Sequence, residues 1–405
     1  MLMSVRFYQA VRVPAALCWA AGLGMAAPAP APAPGTPAVL SGLHVDSSGV
    51  LLRDGKPYRG IGVNYVSAFT RVLANPDDRS YREGFKELGR RGIPFARIWI
   101  MGYWPAENKL YQDDRREFYK RLDDVVRCAA DNHVGLIPSF FFNFSTVPDL
   151  VGEPVSEWGN PASKTTGFMR QFVREVVNQY GKSPVIWGWE FGNEMNLAAD
   201  LPNAAEHRPA AVPQLGTPDQ RTAKDDTTHA MMRAAVRLFA QEVRKWDTRL
   251  PILTGNTFPR ASAWHQMTEK SWTADNEEQY AEMLTADSPD PLDTLSGHLY
   301  AGETDRFGRK LAMREYLTIA TGVAARAKKP LVIGEFGAPG LSAKEPFMEI
   351  LAAIDKSGVP LAALWVYDFA SQDKDWNVTA SNSRAYMLDE IAKLNQGFGA
   401  KPAPR

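Results

Sequence analysis

Eight short apolar runs, separated by stretches of helical spacing, constrain this chain more than any other feature of its sequence. They are RGIGVN from residue 59, FARIWI from 95, VGLIPSFFF from 134, PVIWGWEF from 184, PILTGN from 251, TLSGHLY from 294, PLVIGEF from 330 and PLAALWVY from about 361. Runs that lack polar alternation suit strands buried on both faces, the pattern of parallel strands covered by helices. Between them, Phe118, Leu122, Val125 and Ala129 step by three or four, as do Met232, Val236, Phe239, Val243 and Trp246, and each set makes one apolar stripe. Strand alternating with helix eight times predicts an α/β chain folded as a closed (β/α)8 TIM barrel, although a doubly wound open sheet fits the same alternation. Polar and ionisable residues where several different strands finish favour the barrel, whose top face is built from strand ends.

A chain of 405 residues is within the size of a single barrel domain. Residues 1–27 carry Arg6 and Arg12, then an apolar run from Val13, then small residues at Ala26 and Ala27. That order is the one a secretory signal uses, and the run is short of the roughly 20 apolar residues a spanning helix needs. An uncleaved anchor is the alternative. The expectation is export, to a secreted or periplasmic location, with cleavage near Ala27. Residues 28–37, rich in Pro and Ala, then form an extended linker, residues 38–397 the barrel, and residues 398–405 a frayed tail.

Loss of residues 1–27 removes two of the 46 basic side chains and none of the 46 acidic ones, so 44 face 46 and the net charge is −2. This supplies no basic field for nucleic acid. Cys18 leaves with the signal, and Cys128, in RLDDVVRCAADN, reads as helix packing, so the fold is expected to rest on its core rather than on disulfides. No membrane contact after cleavage, no cofactor and a monomer are expected.

In a closed parallel barrel the strand ends at Arg97, Asn193, Glu194, His298, Tyr300, Glu335 and Trp365 converge on one face. Two glutamates in a polar and aromatic cleft suit glycoside hydrolysis, where one protonates the leaving oxygen and the other attacks the anomeric carbon. Each Glu could instead be a rim salt bridge. Arg97 is a fixed cation able to hold one carboxylate ionised; its other reading is a pair with Glu87 on a helix. His298 and Tyr300, two apart, point the same way on a regular strand. Trp365 is either core filler or a flat face for a sugar ring, and Trp264, Trp272 and Trp376, read as loop residues, are further stacking candidates. Competing motifs are incomplete: GIGVNY lacks the third Gly of a dinucleotide fingerprint, and YGKS lacks the first Gly of a phosphate loop. The six His include no HxH or HExxH pair, which argues against a metal barrel, and no GxSxG occurs.

From Tyr58 to Asn395 the chain resembles clan A glycoside hydrolases, and within them the cellulase-like family five of endoglucanases and β-mannanases. WGWEFGNE carries the resemblance most specifically, followed by VIGEFG. The resemblance implies that Glu194 is the acid/base and Glu335 the nucleophile of a retaining reaction on a polysaccharide or oligosaccharide. It further implies that Arg97 supports the nucleophile, Asn193 binds the sugar 2-hydroxyl, His298 and Tyr300 flank the pair and Trp365 is a platform. Many family cellulases carry a His at the end of strand three, where this chain has Phe142 and Asn143. That departure and the RIW of strand two lean toward β-1,4-mannan, with an endo-β-1,4-glucanase or a non-catalytic glycan-binding barrel as alternatives. The long connection after Glu194, up to the strand starting near residue 251, is expected to wall one side of the cleft.

Overall fold

The apolar runs become eight parallel strands: β1 Gly60–Asn64, β2 Phe95–Trp99, β3 Gly135–Phe141, β4 Trp189–Gly192, β5 Ile252–Leu253, β6 Leu295–Tyr300, β7 Leu331–Gly337 and β8 Leu361–Leu364. This computed structural model describes residues 42–302, 304–340 and 343–399. The signal at 1–27, the linker at 28–37 and residues 400–405 of the expected tail lie outside the described residues, while Phe398, expected at the start of that tail, packs against the core with the Arg59 guanidinium 4.1 Å from its ring. Each strand is followed by a helix, α1 Tyr81–Arg91, α2 Arg115–Asp131, α3 Lys164–Tyr180, α4 His229–Arg244, α5 Glu277–Ala286, α6 Met313–Ala327, α7 Lys344–Ser357 and α8 Tyr386–Gly397. Helix starts are fixed by side chains: Asp114, Ser163 and Thr228 accept the backbone N–H groups of Glu117, Thr166 and Met231.

Hydrogen-bonded order around the sheet is β5-β4-β3-β2-β1-β8-β7-β6, so the architecture is the expected (β/α)8 barrel with one unladdered seam between β5 and β6. Side chains bridge that seam. The Ile252 N–H donates to the Asp293 carboxylate at 2.8 Å, and the Thr294 hydroxyl donates to the Ile252 carbonyl at 3.1 Å. Phe258 fills the gap against Gly297, where a Cβ would stand 2.4 Å from the ring, so only glycine fits there.

An antiparallel sheet of Leu43–Val45, Leu51–Arg53 and Lys56–Pro57 precedes the barrel. Its Leu43 and Leu51 pack with Phe95, Ile137, Trp187 and Leu253, and the Arg53 guanidinium lies 4.4 Å from the Trp187 ring. The N-terminal end of the barrel is thereby plugged with apolar side chains. Toward the other end the interior turns polar, with Asn64, Arg97, Ser139, Glu190, His298 and Glu335 all buried.

Two readings of helical residues are settled here. Cys128 packs half-buried against the core, and burial pushes its thiol up to about 11, away from nucleophilic use. Trp246 does not continue the stripe of α4. The helix ends at Arg244, its register is lost, and Trp246 is 42% exposed with its indole N–H donating to Glu242.

Candidate active site

Two backbone irregularities aim the two glutamates. In β7, Ile333 is paired with Gly297 of β6 but Glu335 with His298, so Gly334 is an extra residue, and this bulge redirects the side chain that follows it. The Asn64 amide donates to the Gly334 carbonyl at 2.9 Å, and a Cβ at Gly334 would come 2.8 Å from His298 Nε2. On the far side β4 stops at Gly192, and Glu194 takes a left-handed conformation with φ 48° and ψ 26°, a region few non-glycine residues visit. Its N–H donates to the Gly255 carbonyl at 2.9 Å. Gly255 has φ +74°, and a Cβ there would lie 1.9 Å from the Gly192 carbonyl oxygen, so the β4 and β5 ends approach this closely only because residue 255 is glycine.

Arg97 joins the interior to the rim. Its Nε donates to Glu190 at 2.6 Å, Nη1 to Glu335 at 2.7 Å and to Asn64 Oδ1 at 3.0 Å, and Nη2 to the Gly192 carbonyl at 3.2 Å and Asn193 Oδ1 at 2.8 Å. All five guanidinium donors are used, which a lysine could not reproduce. Glu87 pairs instead with Arg90 and Arg91 on its own helix. Burial works against the Arg97 charge, and the carboxylates of Glu190 and Glu335 outweigh it, so its pKa is raised. Asn193 lends only its oxygen to Arg97; among the described residues its amide nitrogen has no protein partner, and the residue lines the cleft.

The carboxylates meet over His298. Its Nδ1 lies 2.8 Å from Glu194 Oε1 and 3.4 Å from Glu335 Oε2, while the Tyr300 hydroxyl donates to that same Glu335 oxygen. Ligating atoms of Glu194, His298 and Glu335 all lie within 4.8 Å of one another. Burial opposes a charge on His298, yet the Glu335 charge and the bond and charge of Glu194 prevail and raise its pKa above 6.5. For Glu194, burial raises and the His298 bond and charge, with Arg97 and Arg260, lower; the net is a pKa below 4.5. The Tyr300 hydroxyl is pushed well above 10 by burial and by Glu335, so it stays a donor.

Those directions set a pH dependence of stability. A raised His298 pKa adds stability that is fully present below about pH 6.5 and is lost as pH climbs through the folded value; the lowered Glu194 pKa adds stability above about 4.5 that is lost on acidification. The stability gap between wild type and His298→Asn is therefore expected to be widest between those two values and to narrow toward pH 9. Urea unfolding at pH 5.5 and pH 9 measures it, and an equal gap at both would contradict a proton shared by the pair.

Could the same three residues hold a cation? Both Glu335 oxygens already accept donors, from Arg97 on one side and Tyr300 on the other, and the Arg97 charge sits 2.7 Å away. A metal ion would have to displace those donors and share the site with a guanidinium, so the residues do not fit one.

A cavity of about 1070 Å³ opens over the pair, lined by Glu194, Asn193, Tyr300, Glu335 and a set of rings that includes Trp99, Phe142, Trp365 and Trp376. Trp365 lies nearly parallel to Phe142, at 14° with centroids 6.3 Å apart, and its indole N–H is held by Gln372. Trp376 stands edge-on to Tyr300. Trp272, 56% exposed, borders a second cavity next to the first. Trp264 is not among the residues lining either cavity: it lies on the short helix Ala263–Glu269 and donates to Glu282. Asn143 is also set back, donating to the Tyr103 carbonyl and so holding the loop that carries Tyr103 and Trp104.

Sequence reasoning passed over Glu190, the buried partner of Arg97. Its signal was available, since Glu190 and Gly192 share strand parity and a charged residue inside an aromatic strand needs a counter-ion. The connection after Glu194 contributes only Leu197 to the second cavity. Arg221 clamps it to the body with two bonds to Asp149, and its Gly216 packs on Pro105, so it buttresses the cleft wall from behind.

No family model matches the chain, and no curated protein matches it in sequence. Solved structures do match. An endo-1,4-β-mannanase from Rhizomucor miehei superposes with a TM-score of 0.62 at 15% identity, covering 89% of this chain and 100% of that one. A family 5 mannosidase from the same organism gives 0.60 at 12% over 90% and 99% of the two chains. The chain shares the fold of family 5 glycoside hydrolases. An endo-1,4-β-D-mannanase from Thermotoga petrophila also matches, at 0.59 and 14% identity over 83% of this chain and 100% of that one. At these identities the likeness extends to the barrel, and the chemistry of this chain rests on its own residues.

Proposed function

We propose that this chain is a retaining β-glycosidase that cleaves β-1,4-linked polysaccharide by double displacement, with mannan or glucomannan ahead of glucan. The observation that carries the reading is the approach of Glu194 and Glu335, whose nearest oxygens lie within 4.8 Å at the floor of an open, ring-lined cleft. That favours the short separation of retaining enzymes, roughly 5 to 5.5 Å, over the roughly 6.5 to 9.5 Å that admits a water between the carboxyls. Glu335, steered by Arg97 and Tyr300, attacks the anomeric carbon as Glu194 passes a proton to the leaving oxygen. A glycosyl ester forms on Glu335. Glu194 then takes a proton from water as that water attacks the anomeric carbon, the bond to Glu335 breaks, the carboxylate leaves, and the sugar is released with its original configuration.

In the free protein the Glu194 pKa is lowered and the His298 pKa raised across their 2.8 Å contact, so the proton for the leaving group belongs to the pair rather than to Glu194 alone. His298 is thus a positioning residue that stores it. Asn193 supports a further contact, since 2-hydroxyl bonds tighten in the oxocarbenium-like transition state. The leaning to mannan is supported by Phe142 and Asn143 after β3 and by the mannanases and mannosidases among the structures of like fold. Among the described residues no helix is long and apolar enough to cross a membrane, and residues 1–27 are read as a cleaved export signal, for which an intact mass starting near Pro28 is the check.

The test is reducing-end release from mannan, glucomannan and carboxymethylcellulose, with proton NMR of the first product formed. Release from mannan and glucomannan exceeding that from carboxymethylcellulose, with the β-anomer appearing first, is expected. Initial release of the α-anomer would replace double displacement by single displacement, and tight binding without release would leave a glycan-binding barrel.

A further inference from the structure

We infer that the second cavity receives the leaving-group end of the substrate and that Arg260 equips it for a sugar carrying a carboxylate, a hexuronic acid residue. This rests on the glycosidase reading above. The second cavity, about 650 Å³, shares Glu194, Tyr300 and Trp376 with the first. Glu335 lines only the first and Glu194 lines both. A nucleophile must face the sugar it captures, whereas the acid must face the oxygen that departs. The ring-lined cavity therefore holds the captured sugar, and the cavity that has Glu194 without Glu335 holds what leaves.

The two cavities differ in chemistry. The first is walled by Trp99, Tyr103, Trp104, Phe142 and Trp365, and its charged lining is either exposed, as at Lys109, or already engaged, Arg71 by Asp368 at 2.9 Å and Glu107 by the Trp104 N–H. The second brings Arg260 and Arg306 to its lining, faced by Glu194 and by the exposed carboxylate of Asp305. Arg260 Nε donates to the Leu197 carbonyl at 2.6 Å, which fixes the plane of the guanidinium beside Glu194. Its two Nη groups make no hydrogen bond or ion pair among the described residues, although the side chain is partly buried. A partly desolvated guanidinium with an open fork is matched by a planar carboxylate, which accepts two parallel N–H bonds. Nearby, Gln266 is 1% exposed, lines the same cavity, and leaves its Oε1 unpartnered. A buried acceptor without a donor is unusual; a sugar hydroxyl supplies one. Trp272 at the rim offers the ring face such a sugar would lie on.

Two measurements test this. The first compares kcat/KM on mannotriose with that on mannotriose whose reducing-end residue is oxidised at C6 to a uronate, for wild type and Arg260→Gln. Wild type is expected to favour the uronate roughly 10-fold, the scale of one charge-assisted bidentate pair, with a ratio near one in Arg260→Gln. A ratio unchanged by the substitution, or an equal loss on both substrates with a shifted pH profile, would make Arg260 a positioning residue for Glu194 and overturn the inference. The second is binding of methyl β-D-glucuronide, methyl β-D-glucoside and its 6-sulfate to wild type and Arg260→Gln by NMR titration, which needs no turnover. Glucuronide binding that is Arg260-dependent and exceeds that of the other two supports the assignment; glucuronide no tighter than glucoside, or matched by sulfate, overturns it. If neither trisaccharide is cleaved while glucuronide binding still depends on Arg260, the glycosidase reading fails and the carboxylate site stands.

Discussion

Replacing Glu335 with alanine is expected to lower kcat on mannan by on the order of 10⁴-fold, about 5.4 kcal/mol at 1.36 kcal/mol per decade, with little change in substrate affinity. The loss is large because Glu335 forms the bond that divides one hard displacement into two easier ones. It should also be specific in kind. With the carboxylate gone, a small anion fits where it stood, so added azide is expected to restore turnover and to yield a glycosyl azide of inverted configuration, while Glu194 still protonates the leaving oxygen. Glu194→Ala is expected to behave differently: slow on mannan, yet able to release a good leaving group such as dinitrophenolate, which needs no proton. Folding should survive Glu335→Ala, since Arg97 keeps its bond to Glu190. Full activity in the alanine variant, or inactivity that azide leaves untouched, would remove Glu335 from the nucleophile's place.

Much of this arrangement was legible in the sequence because a barrel turns strand order into geometry. An apolar run followed by a polar residue marks the end of a buried strand, and eight parallel strands put all such ends together. That is why Arg97, Asn193, Glu194, His298, Tyr300, Glu335 and Trp365, each read singly from the sequence, share one end of the barrel, five of them lining the cleft and Arg97 and His298 buried next to Glu335. Features that depend on pairing register were out of reach. The bulge at Gly334 exists only relative to β6, and the left-handed turn at Glu194 only because Gly255 permits the approach of β5. The seam beside β5 has the same origin, since PILTGN reads like the other runs, yet only Ile252 and Leu253 are laddered and the rest is bridged by Asp293 and Thr294. Isolated loop residues were illegible in both directions. Nothing around Arg260 marks it as a cleft residue, and nothing around Trp264 shows that its ring turns to Glu282 instead.

Arg97→Met is expected to destabilise the fold by about 3 to 5 kcal/mol, the cost of stranding a buried charge when its partner is removed. The geometry argues for the upper part of that range. Glu190 and Glu335 are both almost wholly buried, and Arg97 is the cation that touches either of them among the described residues, apart from His298 at 3.4 Å from Glu335. Its loss leaves two carboxylates facing each other in the barrel interior and frees the Asn64, Asn193 and Gly192 oxygens as well. Urea unfolding monitored by tryptophan fluorescence measures the change. Arg97→Lys should recover only part of it, because one ammonium cannot serve five acceptors. The decisive comparison is the double variant Arg97→Met with Glu190→Leu, which removes the guanidinium with one of its two buried carboxylates, replaces them with apolar volume and leaves only Glu335 stranded. Part of the lost stability is then expected to return while activity stays lost, since no guanidinium orients Glu335 or Asn193. If instead the single variant unfolds at the wild-type urea concentration, the interior charges are solvated and Arg97 is not what orders the site. If the double variant regains activity, Glu335 needs no guanidinium, and its steering must come from Tyr300 and His298 alone.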